Sequence, residues 1–238
     1  MILMALDHVR DFVSHEAILF DPTDLGRTTV PFFLTRWITH FCAPIFCFLA
    51  GTGAFLSLGR GKTRGDLSWF LFTRGLWLIV LELTVVQFGW GFSIDPHFVF
   101  IQVIWALGCS MVVLSALIFL PLWAVATFGL AMIAGHNLLD PIAPAAFGWA
   151  SGLWKVLHVA APLRPTPGFT IFVAYPLIPW VGVMATGFAF GALLRRERAE
   201  RRQVLFWLGS AYRSRSSFCG RRIFTATRVS GRCRQPRR

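Results

Sequence analysis

Five stretches of this chain are long and apolar enough to cross a lipid bilayer, which limits its fold more than any other feature does. They run approximately Leu34–Leu58, Trp69–Gly91, Phe98–Leu120, Leu122–Leu139 and Phe169–Leu194, the fourth being the shortest. A hydrocarbon core about 30 Å thick takes about 20 helical residues. Inside it, only structures that satisfy every backbone polar group internally persist. The expected fold class is therefore all-α, a polytopic, multi-pass transmembrane helical bundle. Composition agrees: hydrophobic residues make up 55% of the 238 and mean hydropathy is +0.62, more than a soluble domain of this size needs for a core.

Both ends of the chain break this pattern. The opening MILMALDHVRDFVSH offers little more than half a crossing between Met1 and Phe12, and already carries Asp7, His8, Arg10 and Asp11. It reads as the outer half of a membrane helix that starts upstream of Met1. A sixth apolar run begins at Val204 (VLFWLG) and stops abruptly. The tail beyond it, SAYRSRSSFCGRRIFTATRVSGRCRQPRR, has nine arginines and no acid, a composition typical of off-frame translation of GC-rich DNA. One back-translation read two bases on gives VSLAFFVLRATN followed by IHGDPRVW, which would continue the interrupted helix. The expectation is a membrane domain over 1–209 and an off-frame, disordered tail over 210–238. The rival reading is a genuine basic tail that binds anionic lipid or RNA. Most of the net charge of +12 thus belongs to one short segment, and no nucleic-acid partner is expected for the rest.

Orientation follows from the positive-inside rule. The loop GRGKTRG carries Arg60, Lys62 and Arg64, and RRERAERR carries Arg195, Arg196, Arg198, Arg201 and Arg202. Counting spans puts both on one side, which the rule makes cytoplasmic. Ser14–Val30, Ser93–His97 and Asp140–Gly168 then lie outside. The last of these, with its PIAPAAFG and APLRPTP stretches, reads as a loop with a short interfacial helix around Trp149–Val159, able to cover a cavity.

With that topology His8, His15, His40, His97, His136 and His158 all fall in the outer half, as do seven of the eleven acids. A charge at mid-helix costs about 2.5–3.5 kcal/mol on insertion scales, so such groups face a wet cavity or one another. The densest group is DHVRD: Asp7 and Asp11 lie one turn apart, and a carboxylate beside the His8 imidazole could fix its tautomer for general-base work. The alternative is an interfacial helix end with solvated charges. In TRWITHF, Arg36 and His40 share a helical face. SIDPHF brings Asp95 and His97 to a short loop, and GHNLLD sets His136, Asn137 and Asp140 at a helix end. Any one of these histidines could instead be a packing residue. Glu82, alone in a span, must face the bundle interior, towards Arg74 or a polar group on another helix.

Metal is not expected, because no two histidines have His-x3-His spacing and the cysteines (Cys42, Cys47, Cys109, Cys219, Cys233) form no CxxC. Walker A, Gly-x-Ser-x-Gly and GxGxxG motifs are absent. The opening segment lacks the basic start and cleavage site of a secretory signal peptide.

The segments LMALDHVRDF, TRWITHFCAPIFCFLAGTGAFL, QVIWALGCSMV, GHNLLD and YPLIPWVGVMATGFAFG occur in order over roughly 1–209. Together they resemble the bacterial branch of the heparan-alpha-glucosaminide N-acetyltransferase catalytic-domain family. The resemblance implies a bacterial inner-membrane acyltransferase that moves an acyl (acetyl) group from cytoplasmic acyl-CoA, here acetyl-CoA, to an extracytoplasmic sugar or glycan. Asp7 falls where the characterised branch has an Asn. The spacing to that branch's catalytic histidine is matched by neither His8 nor His15. His8, held by Asp7 or Asp11, is the favoured base, with His15 and His40 behind it. Arg10, Arg36, His97, His136, Asn137 and Asp140 are candidate acceptor-binding groups, and Arg60, Lys62 and Arg64 would meet the CoA phosphates. Membrane lipid is an expected partner, and self-association into a homo-oligomer stays open. The rival readings are a transporter or channel using the same polar cavity, and an inactive truncated product.

Overall fold

The computed structural model describes residues 2–13, 24, 26–59, 61–92, 95, 97–207 and 209–210. His15, Arg60 and the tail 211–238 lie outside the described residues, so the expectations placed on them do too. The chain divides into two compact units, residues 1–192 and 193–238.

In the first unit the helices are α1 (Ile2–Val13), α2 (Val30–Thr39), α3 (Cys42–Leu58) and α4 (Arg64–Leu81). A π-helical turn (Glu82–Val86) leads from α4 into α5 (Gln87–Gly91), and strand β1 (Phe98–Ile101) precedes α6 (Val103–Leu117) and α7 (Leu122–Gly135). Then come α8 (Ser151–Leu157), β2 (Ala161–Thr166), β3 (Phe169–Val173) and α9 (Leu177–Leu194). Four helical stretches are long and apolar enough to cross a membrane: Val30–Leu58, Arg64–Trp90, Leu122–Leu139 and Leu177–Leu194; α6 is a shorter apolar helix. The all-α transmembrane bundle expected from the sequence is what forms.

Three departures from the expected spans have physical causes. Val30–Leu58 is broken at His40–Phe41. Pro44 lacks the N–H that would bond the His40 carbonyl, and its ring clashes there. The segments Phe98–Ile101 and Phe169–Val173, expected as the starts of membrane helices, are instead parallel strands paired Phe98 to Thr170 and Ile101 to Val173. The segment expected as a loop with one helix holds a 3-10 turn (Pro144–Ala150), α8, and then β2, antiparallel to β3. FVFI and FTIFV are short apolar runs that periodicity alone cannot separate from helix ends.

The ends of the bundle are fixed by local chemistry. Gly61, at φ +83°, turns the chain into α4. There the Thr63 hydroxyl accepts from the Asp66 N–H and the Asp66 carboxylate accepts from the Thr63 N–H, both at 3.1 Å, a reciprocal cap. Arg64 donates to the Phe119 carbonyl at 3.3 Å, so the α3–α4 and α6–α7 connections share one end of the bundle. α6 runs from the sheet to that end and α7 returns, so His136–Asp140 lies at the sheet end.

Large side chains such as Trp69, Trp77, Leu130 and Trp123 face outward, while Leu67, Leu71, Leu114, Val125, Met184 and Phe188 form a buried core and glycines make the closest helix contacts. A Cβ on Gly75 would sit 2.6 Å from the Gly108 carbonyl oxygen, and one on Gly108 2.7 Å from that of Gly75, so α4 and α6 touch backbone to backbone. Gly129 and Gly182 join α7 to α9, and Gly51, Gly187 and Gly191 join α3 to α9. The Thr52 hydroxyl seals that last contact by donating to the Gly187 carbonyl at 2.9 Å. With lipid no more polar than leucine, close van der Waals approach of small residues replaces the hydrophobic drive between helices. In the second unit residues 198–207 are helical, and Arg201 donates to the Leu194 carbonyl at 3.2 Å.

Packing separates glycines that look alike in sequence. A Cβ at Gly187 would strike the Phe48 carbonyl, whereas one at Gly53 would meet nothing within 4 Å. Gly187→Ala is expected to cost about 1–3 kcal/mol by overpacking. Gly53→Ala is expected to be neutral or to stabilise by up to about 1 kcal/mol through helix propensity. Thermal unfolding midpoints in one detergent check the pair: equal midpoints would contradict the packing.

Candidate functional site

The sheet end of the first unit carries Glu82, Gln87, His97, Gln102, His136 and Asp140, and its geometry is set by a buried carboxylate. Glu82 is 1% exposed and sits at the start of the π turn. A π turn adds a residue to the helix and rotates the residues beyond it, a device frequent at functional sites. Here it carries Glu82 to the head of α6, where the Gln102 backbone N–H donates to Oε1 at 2.7 Å and the Trp105 N–H faces the same carboxylate. The acid therefore caps a helix belonging to another part of the chain, which satisfies orphan amides and opposes the positive end of the helix dipole. Its partner is this helix head, and not Arg74, which lies over the Phe70 ring.

Five residues further on, Gln87 does similar work for β1. Its side-chain amide accepts from the Phe100 N–H at 3.2 Å and donates to the Phe98 carbonyl at 3.4 Å, standing in for a neighbouring strand. β1 thereby has β3 on one edge and a glutamine on the other. Two buried side-chain atoms here have no hydrogen-bond partner among the described residues: Glu82 Oε2 and Gln102 Nε2. One is an acceptor and the other a donor, on two residues already joined through the Gln102 N–H.

The structure scatters the sequence-predicted residues over several elements. His8, on α1, is exposed, and its ring meets Trp90 edge-on at 5.7 Å. Arg10 is buried, and its guanidinium makes a long hydrogen bond of 3.4 Å to the Thr39 hydroxyl, which in turn donates to the Arg36 carbonyl at 3.1 Å. This chain of contacts fastens α1 to α2. Asp7 and Asp11 lie on the same helix, but their side chains are outside the described residues. His40 is exposed at the break after α2, and Arg36 is half-buried.

Other candidates serve the local structure. The His97 N–H donates to Asp95 at 2.8 Å, and His97 Nδ1 lies 3.2 Å from the Gly168 carbonyl, so this ring spans from β1 to the β2–β3 turn. His136 Nδ1 turns back to the Ile133 carbonyl at 2.8 Å, while Asn137 is exposed. Asp140 is 3.1 Å from Nε2 of His158, whose side chain is 4% exposed and whose Nδ1 is buried without a partner among the described residues. At the opposite end Lys62 and Arg64 are exposed, the ammonium of Lys62 lying 4.3 Å above the Phe70 ring. Among the described residues no three His, Cys, Asp or Glu side chains converge as metal ligands would.

Sequence reasoning missed Gln87 and Gln102, and it had Glu82 without its partner. A carboxylate in a span signals a buried partner, but backbone N–H groups leave no trace in residue types. The capping role makes a test. Glu82→Ala leaves the Gln102 N–H buried and unpaired and is expected to cost about 1–3 kcal/mol, whereas Glu82→Gln keeps an acceptor oxygen and is expected to cost less. Hydrogen exchange at the Gln102–Trp105 amides measures it: faster exchange in E82A than in E82Q supports the cap, and equal protection in both contradicts it.

No curated protein and no solved structure matches the chain. One family does, over residues 4–224, under the description Heparan-alpha-glucosaminide N-acetyltransferase, catalytic. That range takes in most of α1 and all of α2 to α9, together with Glu82, His8 and Arg10. The match covers nearly the whole sequence, and the chain belongs to the heparan-alpha-glucosaminide N-acetyltransferase catalytic family, as a membrane protein of an acetyltransferase class.

Proposed function

We propose that this protein is a multi-pass acyltransferase of the bacterial inner membrane, taking an acetyl group from acetyl-CoA on the cytoplasmic side and delivering it to a sugar or glycan on the other. The observation that carries the reading is the family match over residues 4–224 on a bundle with contrasting ends. One end bears exposed cations on the loop before α4, and the other bears histidines, carboxylates and glutamines around a small sheet. An enzyme that meets CoA on one face and an acceptor on the other needs that contrast.

In this reading the domain spans residues 1–209. Lys62 and Arg64, with Arg60 beside them in sequence, meet the CoA phosphates by charge-assisted hydrogen bonds. The pantetheine arm runs between helices towards the sheet end. His8 accepts the proton of an acceptor amine or hydroxyl as that group attacks the thioester carbonyl. A C–N or C–O bond forms, the C–S bond breaks, and the CoA thiolate leaves. Trp90 against the His8 ring limits the orientations the imidazole can take. Arg10 and Thr39 hold α1 in place, which makes Arg10 a positioning residue in this scheme, while Arg36, His97, Asn137 and Asp140 are groups that an acceptor sugar can meet.

Two variants test the scheme from opposite ends. His8→Ala is expected to lower the rate of acetyl transfer by about 100-fold or more while acetyl-CoA still binds. The double variant Lys62→Ala and Arg64→Ala is expected to raise KM for acetyl-CoA with kcat little changed. Steady-state transfer of labelled acetyl groups, with acetyl-CoA binding measured separately, gives both. Retained activity in H8A would remove His8 from the mechanism. Solute flux through the protein with no affinity for acetyl-CoA would replace the acyltransferase by a transporter.

A further inference from the structure

The lobe between α7 and β3 holds a cavity that the acyl-transfer scheme does not use. It lies between α8 and β2, has a volume of about 670 Å³, and is lined by Ser151, Gly152, Lys155, Val156, Leu163 and Arg164 among others. None of its lining residues is acidic. Lys155 spends one of its three N–H donors on the Pro162 carbonyl at 3.1 Å, which fixes the ammonium at the cavity wall with donors to spare. Arg164 makes no ion pair among the described residues. The nearest acid in sequence, Asp140, is held by His158.

Beside the cavity the lobe is unusually apolar on its surface. Trp149 is 98% exposed and Leu138 79%, and Leu153, Phe147 and Ile142 are exposed too. Trp149 and Leu153 alternate in sequence with the lining residues Ser151, Gly152 and Lys155, so the apolar rim and the cationic cavity belong to one short segment. That segment comes soon after Leu122–Leu139, a stretch able to cross the membrane. A tryptophan set where a span leaves the hydrocarbon, with basic side chains next to it, is the arrangement that anchors at the headgroup level.

We propose that this cavity is a lipid headgroup site: it takes the phosphate of an anionic membrane lipid, with Lys155 and Arg164 on the phosphate and Trp149 and Leu153 in the adjoining acyl boundary. Charge complementarity selects the phosphate, and the exposed apolar rim of Trp149 and Leu153, a short way along the chain from the span Leu122–Leu139, selects a lipid over a free anion. The site stands whether or not the protein transfers acetyl groups, since it draws only on the lobe and the span beside it.

The test uses the whole chain in nanodiscs of phosphatidylcholine with a minority of phosphatidylglycerol, the lipid retained on the protein being read by native mass spectrometry. The wild type is expected to retain phosphatidylglycerol preferentially. The double variant Lys155→Ala and Arg164→Ala should weaken that retention about tenfold or more, while Lys155→Arg with Arg164→Lys restores it. The rescue separates a lost charge from a lost fold. Unchanged retention in the alanine variant overturns the proposal. So does displacement of the lipid by free glycerol phosphate at equal concentration, which would make this a site for a soluble anion. Self-association that shields Trp149 from lipid-borne quenchers would instead make the rim a contact between two copies, and overturn it as well.

Discussion

Everything at the sheet end depends on one carboxylate meeting one helix head. α6 has 15 residues, which at 1.5 Å each is about 22 Å and short of a hydrocarbon core of about 30 Å. Its first amides are buried inside the bundle, where water does not serve them, and a buried amide left without an acceptor costs about 1–3 kcal/mol. Glu82 resolves this by capping those amides from another helix. The π turn that delivers Glu82 also starts α5, which places Gln87 against β1 and Trp90 against His8. A single extra residue in the α4 ladder thus determines where the non-helical backbone of β1 can sit.

The glycine contacts explain why that arrangement is rigid enough to matter. Gly75 and Gly108 fix α4 against α6 with backbones touching, so the distance between Glu82 and the head of α6 has little freedom. A cap across two elements needs this: it holds only if both elements are placed independently. The side-chain cap of Thr63 on α4 is local and would survive a shift of its neighbours; the Glu82 cap would not.

The sequence shows this fold well at the scale of spans and poorly below it. Runs of 18 or more apolar residues carry their own proof of length, so the helical bundle was legible. FVFI and FTIFV were not, because four or five apolar residues next to a longer apolar run fit a helix extension equally well. What turns them into strands is pairing between segments 72 residues apart, Phe98 with Thr170, which no local pattern encodes. The break at His40 inside the span expected as Leu34–Leu58 was not read either, although Pro44 and its missing N–H are visible in the sequence. The site divides the same way. Counting spans gave the histidines and acids one side as an expectation, and among the described residues His97, His136 and Asp140 lie at the sheet end. Which of them meet one another could not be, because His158 finds Asp140 and Glu82 finds backbone only after the chain has returned on itself.

Glu82 Oε2 and Gln102 Nε2 mark where structure and chemistry meet in this bundle. A buried donor and acceptor without partners among the described residues are costly unless something else satisfies them. The Glu82 cap explains one oxygen and the helix register explains the backbone of Gln102. Neither explains the remaining two polar atoms, when a leucine in place of the glutamine would keep the backbone N–H and bury no amide. In the acyl-transfer scheme proposed above, the acyl carbonyl accepts hydrogen bonds and the nucleophile gives up a proton. An amide donor and a carboxylate acceptor match those two needs in type. They lie where α4 gives way to the sheet end, between the cationic loop and the exposed histidines, which is the interval an acetyl group has to cross in the proposed scheme.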